Sequence, residues 1–234
     1  MKADLSERPK HPIIIEGFPG FGFVGTIATE FLIKHLKAKP IGKFWSNSLL
    51  PMVAIHGGKA VDPLGIYYDK KHNILIFHAI SNINGLEWKL SNALYDLARE
   101  LDAKELVSLE AVNSPKKTNK VFYYTNREET GKQLEKLKID PLQEGIVAGV
   151  SGSLILKVKR IPFSCLFVES HTGLPDSIAA ARLIEVLDKR LGLDIDTKPL
   201  LKTAHKFEAK IRSMMEGAKH SQEAKQQKDL DYMG

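Results

Sequence analysis

Residues 16–25 read Glu-Gly-Phe-Pro-Gly-Phe-Gly-Phe-Val-Gly, and Gly20, Gly22 and Gly25 fit the spacing G-x-G-x-x-G. Glycines so placed let a backbone turn sharply and approach a pyrophosphate, which then rests at the positive end of the next helix. The run Ile13-Ile14-Ile15 before the turn reads as a strand, and the segment after it reads as a helix. Two features argue against a dinucleotide. The acid that holds a ribose about 20 residues further on is replaced by Phe44-Trp45-Ser46-Asn47-Ser48, and Phe18, Pro19, Phe21 and Phe23 put bulk where such sites are small. Glycine-rich turns also join a strand to a closely packed helix without any ligand. The turn is therefore expected to be structural, or part of a protein-contact surface, and no cofactor is expected.

A second stretch, Gly149-Val150-Ser151-Gly152-Ser153, approaches the nucleophile elbow G-x-S-x-G but ends on serine. An elbow needs a histidine and an acid later in the chain, and Glu169, His171 and Asp176 supply them on paper. The simpler reading is a strand-to-helix turn with Ser153 as the helix cap. Glu169-Ser170-His171-Thr172 leaves a strand end, as do Glu110 with Asn113, and Ser81 with Asn82. Ligands of α/β sheets sit at such ends. These polar groups can line a small pocket, or they can satisfy loop backbone and cap helices; both uses stay open. Phosphate-loop and metal signatures are absent. Gly131-Lys132 is followed by Gln133, and the eight histidines show no H-E-x-x-H spacing.

These groups need a scaffold, and the rest of the chain describes one. Apolar runs at Ile13–Gly17, Gly42–Ser46, Met52–His56, Val61–Tyr68, Ile74–Ile80, Glu105–Leu109, Val121–Tyr124, Ile146–Val150 and Phe163–Glu169 read as strands. Helical patterns cover Val24–Lys37, Leu86–Leu101, Glu128–Leu137, Ser153–Lys159, Asp176–Leu191 and Pro199–Glu216. Leu90, Ala93, Leu94, Leu97, Ala98 and Leu101 mark one buried helix face. Strand–helix alternation predicts an α/β layered domain with a largely parallel sheet. Trp45 to Ile80 lacks a helix and is expected to be an antiparallel or mixed insertion. Leu200, Ala204, Phe207, Ile211, Met214 and Met215 form a stripe suited to core or oligomer contacts. A single domain over 1–216 is expected, with a polar, flexible tail over 217–234.

Composition narrows the partners. The net charge of +6 and pI of about 9.2 permit nucleic-acid contact. Lysines and glutamates alternate along the helices, however, as on a solvated face, so no nucleic-acid partner is expected. No uncharged stretch reaches the ~18 apolar residues of a membrane span. The first twelve residues lack the apolar core of a signal peptide, and a lone Cys165 in an apolar run excludes an internal disulfide. A cytoplasmic address is expected.

Four segments occur together in order: "GFPGFGFVGTIATEFLI", Asn113-Ser114-Pro115, "GIVAGVSGSLIL" and "ESHTGLPDSIAAARLIEVL". With them the sequence resembles the proteasome assembly chaperone family, of the second-chaperone type with its archaeal homologues, from about Ile13 to Met215. The resemblance implies a three-layer α/β/α sandwich like that of nucleoside phosphorylases, without their catalytic residues. Gly17, Pro19, Gly20, Gly22 and Gly25 then form a signature loop of the family. It also implies an ATP-independent chaperone that binds proteasome α-subunits or the 20S core particle, associates with itself and is not an enzyme. Family members dock by a C-terminal hydrophobic-Tyr-X motif. Here the chain ends Leu230-Asp231-Tyr232-Met233-Gly234, with the tyrosine third from last instead of penultimate. A docking tail through Leu230, Tyr232, Met233 and Gly234 and an ordinary terminus both fit. The alternative function is a small-molecule enzyme of nucleoside hydrolase or phosphorylase type, working at the strand-end pocket.

Overall fold

The run Ile13-Ile14-Ile15 is apolar at consecutive positions, so both faces of its strand must be covered. The chain places it at the centre of a sheet with helices on either side. In the computed structural model the described residues are 1–202, except 50, 52, 57, 82, 115–117 and 172. The elements in chain order are β1 (Lys2–Leu5), β2 (Ile13–Gly17), α1 (Val24–His35), β3 (Lys39–Trp45), β4 (Ala54–His56), β5 (Lys59–Val61), β6 (Leu64–Asp69) and β7 (Ile74–Ala79). They continue as α2 (Glu87–Glu100), β8 (Glu105–Asn113), β9 (Val121–Thr125), α3 (Glu128–Lys136), β10 (Asp140–Pro141), α4 (Gly149–Lys157), β11 (Phe163–Ser170) and α5 (Ser177–Leu191).

One sheet takes nine strands in the order β1-β3-β6-β7-β2-β8-β11-β9-β10. Its centre, β7-β2-β8-β11, is parallel. Antiparallel strands flank that centre through β6 on one side and β9 on the other. Side-chain alternation divides the core in two. Ile15, Val107, Leu109, Leu166 and Val168 face α1, α3 and α5, while Ile14, Phe77, Leu106, Phe163 and Phe167 face α2 and α4. This is a three-layer α/β/α sandwich. The buried face of α2 is the one its periodicity marks, including Leu90, Leu94 and Leu97. Burying each such leucine contributes roughly 1.5–3 kcal/mol. The α5 helix starts at Asp176, whose side chain accepts from the Ala179 N–H, and stops at Gly192 in the left-handed region.

Several boundaries differ from the sequence reading. Ile146–Val150 is no strand: 142–148 is a loop, and α4 begins at Gly149, four residues before Ser153. Ser153 caps nothing, because its hydroxyl donates back to the Val150 carbonyl at 2.8 Å inside the helix. The run at Val61–Tyr68 is broken at Asp62-Pro63. Its first part pairs only in the separate β4-β5 ribbon, and its second part is β6 in the main sheet. The polar segment Lys2–Leu5 adds an edge strand beside β3 that its composition does not announce. The chain is helical again over 198–202, where Leu200 is buried. The rest of the Pro199–Glu216 helix and the 217–234 tail lie outside the described residues.

Two buried polar clusters fasten the layers. Glu105, at the start of β8, pairs with Arg190 of α5 and accepts from the Ser164 hydroxyl at 2.6 Å. His78 on β7 meets Thr29 of α1 at 2.9 Å through Nδ1 and Glu30 at 3.3 Å through Nε2.

Candidate functional site

The glycine turn sits at the carboxyl end of β2. After Gly20 the chain makes one 3-10 turn, Phe21–Phe23, with Gly22 (φ 62°) and Phe23 (φ 50°) both left-handed. A Cβ on Gly17 would stand 2.2 Å from the Gly25 carbonyl oxygen, and one on Gly25 would stand 2.5 Å from that of Leu109. Real side chains do not tolerate such distances. These glycines let the start of α1 rest directly on β2 and β8. The carbonyl of Gly22 also accepts from the Asp176 N–H at 2.9 Å, tying the turn to the start of α5.

Beneath the turn lies a row of polar side chains on the α2/α4 face of the sheet. Glu16 of β2 is paired in register with Ser108 of β8, and Ser108 with Cys165 of β11. Ser108 and Ser151 of α4 share a hydrogen bond of 2.8 Å, and Ser151 donates to Glu110 Oε2 at 3.0 Å. Glu110 Oε1 accepts from the Ala111 N–H at 3.1 Å. Neither carboxylate oxygen of Glu16 has a hydrogen bond of normal geometry. Burial pushes the Glu16 carboxyl well above the usual carboxylate range; the Ser108 hydroxyl beside it opposes this and the charge of Glu110 adds to it. An isolated carboxylate there would be very costly, so Glu16 keeps its proton. Glu110 is pushed up to about 7, chiefly by burial, with the Ala111 N–H and the Ser151 hydroxyl pulling the other way. The Cys165 thiol is raised well above its usual value, first by burial. It is inert as a nucleophile.

Glu110 opens onto a cavity of about 310 Å³. Phe18, Phe21, Ile83, Val147 and Phe167 wall it, and Gly20 lies against the carboxyl. The remaining polar residues from the sequence go elsewhere. Glu169 accepts from Ser114 at 3.1 Å and from Thr118, and Asp176 accepts from Ser170 at 2.7 Å while capping α5. Neither is hydrogen-bonded to Ser151, which is buried in α4 and partnered by Ser108 and Glu110, so no elbow triad forms. Ser81 is buried, and Asn82 and Thr172 are outside the described residues. Among the described residues no group of His, Cys, Asp and Glu is arranged to hold a metal, and no helix is long and apolar enough to cross a membrane.

Glu110 was legible as a strand-end acid, but Glu16, Ser108 and Ser151 as its neighbours were not. One signal was available: Glu16 has the same parity as Ile14 on an otherwise apolar strand, so it must point into the core.

The model of the PAC2 family matches residues 14–215, which include the turn, the acids and both core faces. The chain belongs to the PAC2 family. An uncharacterized Methanocaldococcus jannaschii protein is 32% identical over 212 residues, 88% of this PAC2 chain and 87% of its own. Among solved structures, Pyrococcus furiosus PbaA, an archaeal homolog of proteasome-assembly chaperone, superposes with a TM-score of 0.85 at 32% identity, covering 94% of this chain and 99% of PbaA. Pyrococcus furiosus PbaB, an archaeal proteasome activator, gives 0.74 at 25% identity, covering 91% and 97%.

Proposed function

We propose that this PAC2 protein is an ATP-independent chaperone of the cytoplasm that binds proteasome α-subunits and assists assembly of the core particle. The observation that carries this reading is the likeness to PbaA over nearly the whole of both chains. Fold alone does not fix function, but identity at that level over nearly both whole chains goes beyond fold. The loop Gly17, Pro19, Gly20, Gly22 and Gly25 is taken in this reading as the family's signature. The body, residues 1–216, acts as one domain and 217–234 as a docking arm. Leu230, Tyr232, Met233 and Gly234 of that arm, which lie outside the described residues, enter a groove between subunits. There the tyrosine ring is buried and the terminal carboxylate meets a lysine. The partners are proteins, not nucleic acid or membrane.

Self-association belongs to this reading. Trp45 and Trp88 are each more than half exposed, as is Ile55 on the β4-β5 ribbon. Large apolar side chains left on the surface suit contacts with further copies. Several tails on one oligomer then gain by avidity what a single weak tail lacks. Catalysis is not part of the proposal, since Ser151, the serine of the elbow-like motif, is committed to Glu110 instead of a histidine.

The test is binding of the intact protein, of a chain lacking Leu230–Gly234 and of Tyr232→Ala to immobilised α-subunits and to assembled rings. The intact protein is expected to bind both. The two tail variants should lose most affinity for rings while keeping their melting temperature and oligomer size. No binding of the intact protein to either partner would overturn the proposal; tail variants that hold rings equally well would remove the docking arm.

A further inference from the structure

The cavity under the glycine turn has a composition that the chaperone reading does not use. Its walls are apolar and aromatic, including Phe18, Phe21, Ile83 and Phe167, and its charged lining residues are both acids, Glu87 and Glu110. No lysine, arginine or histidine lines it among the described residues. Glu87 stands on α2 and accepts from the Gly85 N–H at 3.1 Å. Glu110 is fixed by two donors, one to each oxygen, Ala111 N–H and Ser151 hydroxyl. Each carboxylate oxygen has two lone pairs, so each keeps one acceptor position unused. The Glu110 side chain is thus held rigidly at the boundary of a hollow of about 310 Å³, with acceptor capacity and no cation. Elsewhere in this molecule a buried acid of the same strand, Glu105, is given its own arginine.

We propose that this cavity binds a small organic cation, a primary amine carrying an apolar body, with the ammonium on Glu110 and the body against Phe18, Phe21 and Phe167. Cavities of this size, mostly apolar with a few fixed polar groups, are the usual form of a small-molecule site. An ammonium supplies the missing positive charge, and hydrogen bonds between ionised partners are the strong ones. The pH dependence follows from the groups facing Glu110. Burial disfavours its charge, the protonated Glu16 on β2 and the thiol of Cys165 on β11 are neutral, Glu87 on α2 is the other acid of the lining, and the Ala111 N–H and, from α4, the Ser151 hydroxyl favour ionisation. With Glu110 titrating at about 7, its ionised fraction, and so the affinity for an amine that stays protonated, rises about tenfold between pH 6 and pH 8. The site is independent of proteasome binding, and its test involves no proteasome.

The test is calorimetric titration of the full chain with phenethylamine, 3-phenylpropionate and N-acetyl-lysine methylamide at pH 6, 7 and 8. Phenethylamine is expected to bind, tightening about tenfold across that range, and the carboxylate is expected not to bind. Glu110→Gln should weaken the amine roughly 10- to 100-fold, the worth of a hydrogen bond to a charged group. Val147→Trp, which fills the hollow and leaves Glu110 in place, should abolish binding and serves if Glu110→Gln does not fold. Glu144→Gln, outside the cavity lining, should change nothing. Equal binding of amine and carboxylate, or undiminished binding by Glu110→Gln or Val147→Trp, would overturn the proposal. Binding of the lysine derivative with none of phenethylamine would overturn it too, in favour of a partner protein's lysine.

Discussion

Strand β8 carries two inward-facing acids, the buried Glu105 near its start and the half-buried Glu110 near its end, and the molecule treats them in opposite ways. Glu105 faces α5, where Arg190 and Ser164 satisfy it. Glu110 faces α2 and α4 and receives only neutral donors, next to a second acid, Glu16, whose carboxyl has only the Ser108 hydroxyl beside it. The first acid is complete within its own chain, and its charge is spent on joining helix to sheet. The second is fixed but not neutralised, sits beside open volume, and titrates near neutrality. A place on the same strand therefore does not mean the same purpose. The amino end of the sheet is closed for stability, while the carboxyl end keeps capacity in reserve.

The largest test of that contrast is to remove the cation. Arg190→Met leaves Glu105 buried and unpaired, which is expected to cost about 3–5 kcal/mol of unfolding free energy in urea denaturation. Adding Glu105→Gln should recover most of the loss, since replacing a whole buried pair is often nearly neutral. Glu110→Gln, in contrast, should not destabilise at pH 7. If Arg190→Met costs no more than Glu110→Gln, the two ends are alike and the contrast fails.

The second test is pH. A folded-state pKa of about 7 against about 4.3 unfolded means that the folded protein holds this proton more tightly. The stability from Glu110 is fully present below the unfolded value and is lost as pH rises through 7. In a Glu16→Gln background, chosen because Glu16 shifts the same way, the protein with Glu110 should lose about 1–3 kcal/mol relative to Glu110→Gln between pH 4.5 and 7.5. A constant difference across that range would show Glu110 to be an ordinary carboxylate.

Smaller effects sharpen the account of the turn. Gly25→Ala forces α1 away from β8, and overpacking of this kind costs roughly 1–3 kcal/mol. Gly192→Ala meets open space and pays only for its left-handed backbone, about 1 kcal/mol. Thermal unfolding should rank them in that order; the reverse order would mean that the turn is loosely packed. The smallest expected effect is none. Millimolar NAD or ATP should leave the melting temperature unchanged, whereas a ligand of the folded state raises it once well above its Kd. A rise abolished by Gly22→Val would make the turn a nucleotide site.

Much of the scaffold was legible because its signals are local. Ile13–Gly17 needed only its own apolar run, and α5 is punctuated in the sequence by Pro175 just before its start and Gly192 just past its end. The failures share a cause. Ile146-Val147-Ala148-Gly149-Val150 has the composition of a strand, yet Ile146 is almost fully exposed and Val147 lines the cavity. Apolar residues there serve a surface and a hollow instead of a sheet. Lys2–Leu5 is a strand only because β3 offers it an edge, which no property of four mixed residues reveals. The candidate site suffered most, since Glu16, Ser108, Ser151 and Glu110 meet through strand register and the placement of α4. Glu110 at a strand end was readable; the company it keeps is a product of long-range pairing.

The central claim is that this PAC2 protein helps build proteasomes. The direct measurement follows core-particle formation from purified α- and β-subunits on native gels, with and without the protein and with no ATP present. The account predicts faster appearance of complete particles and fewer off-pathway α-assemblies when the protein is added. An unchanged time course, from a folded protein at stoichiometric concentration, would contradict it.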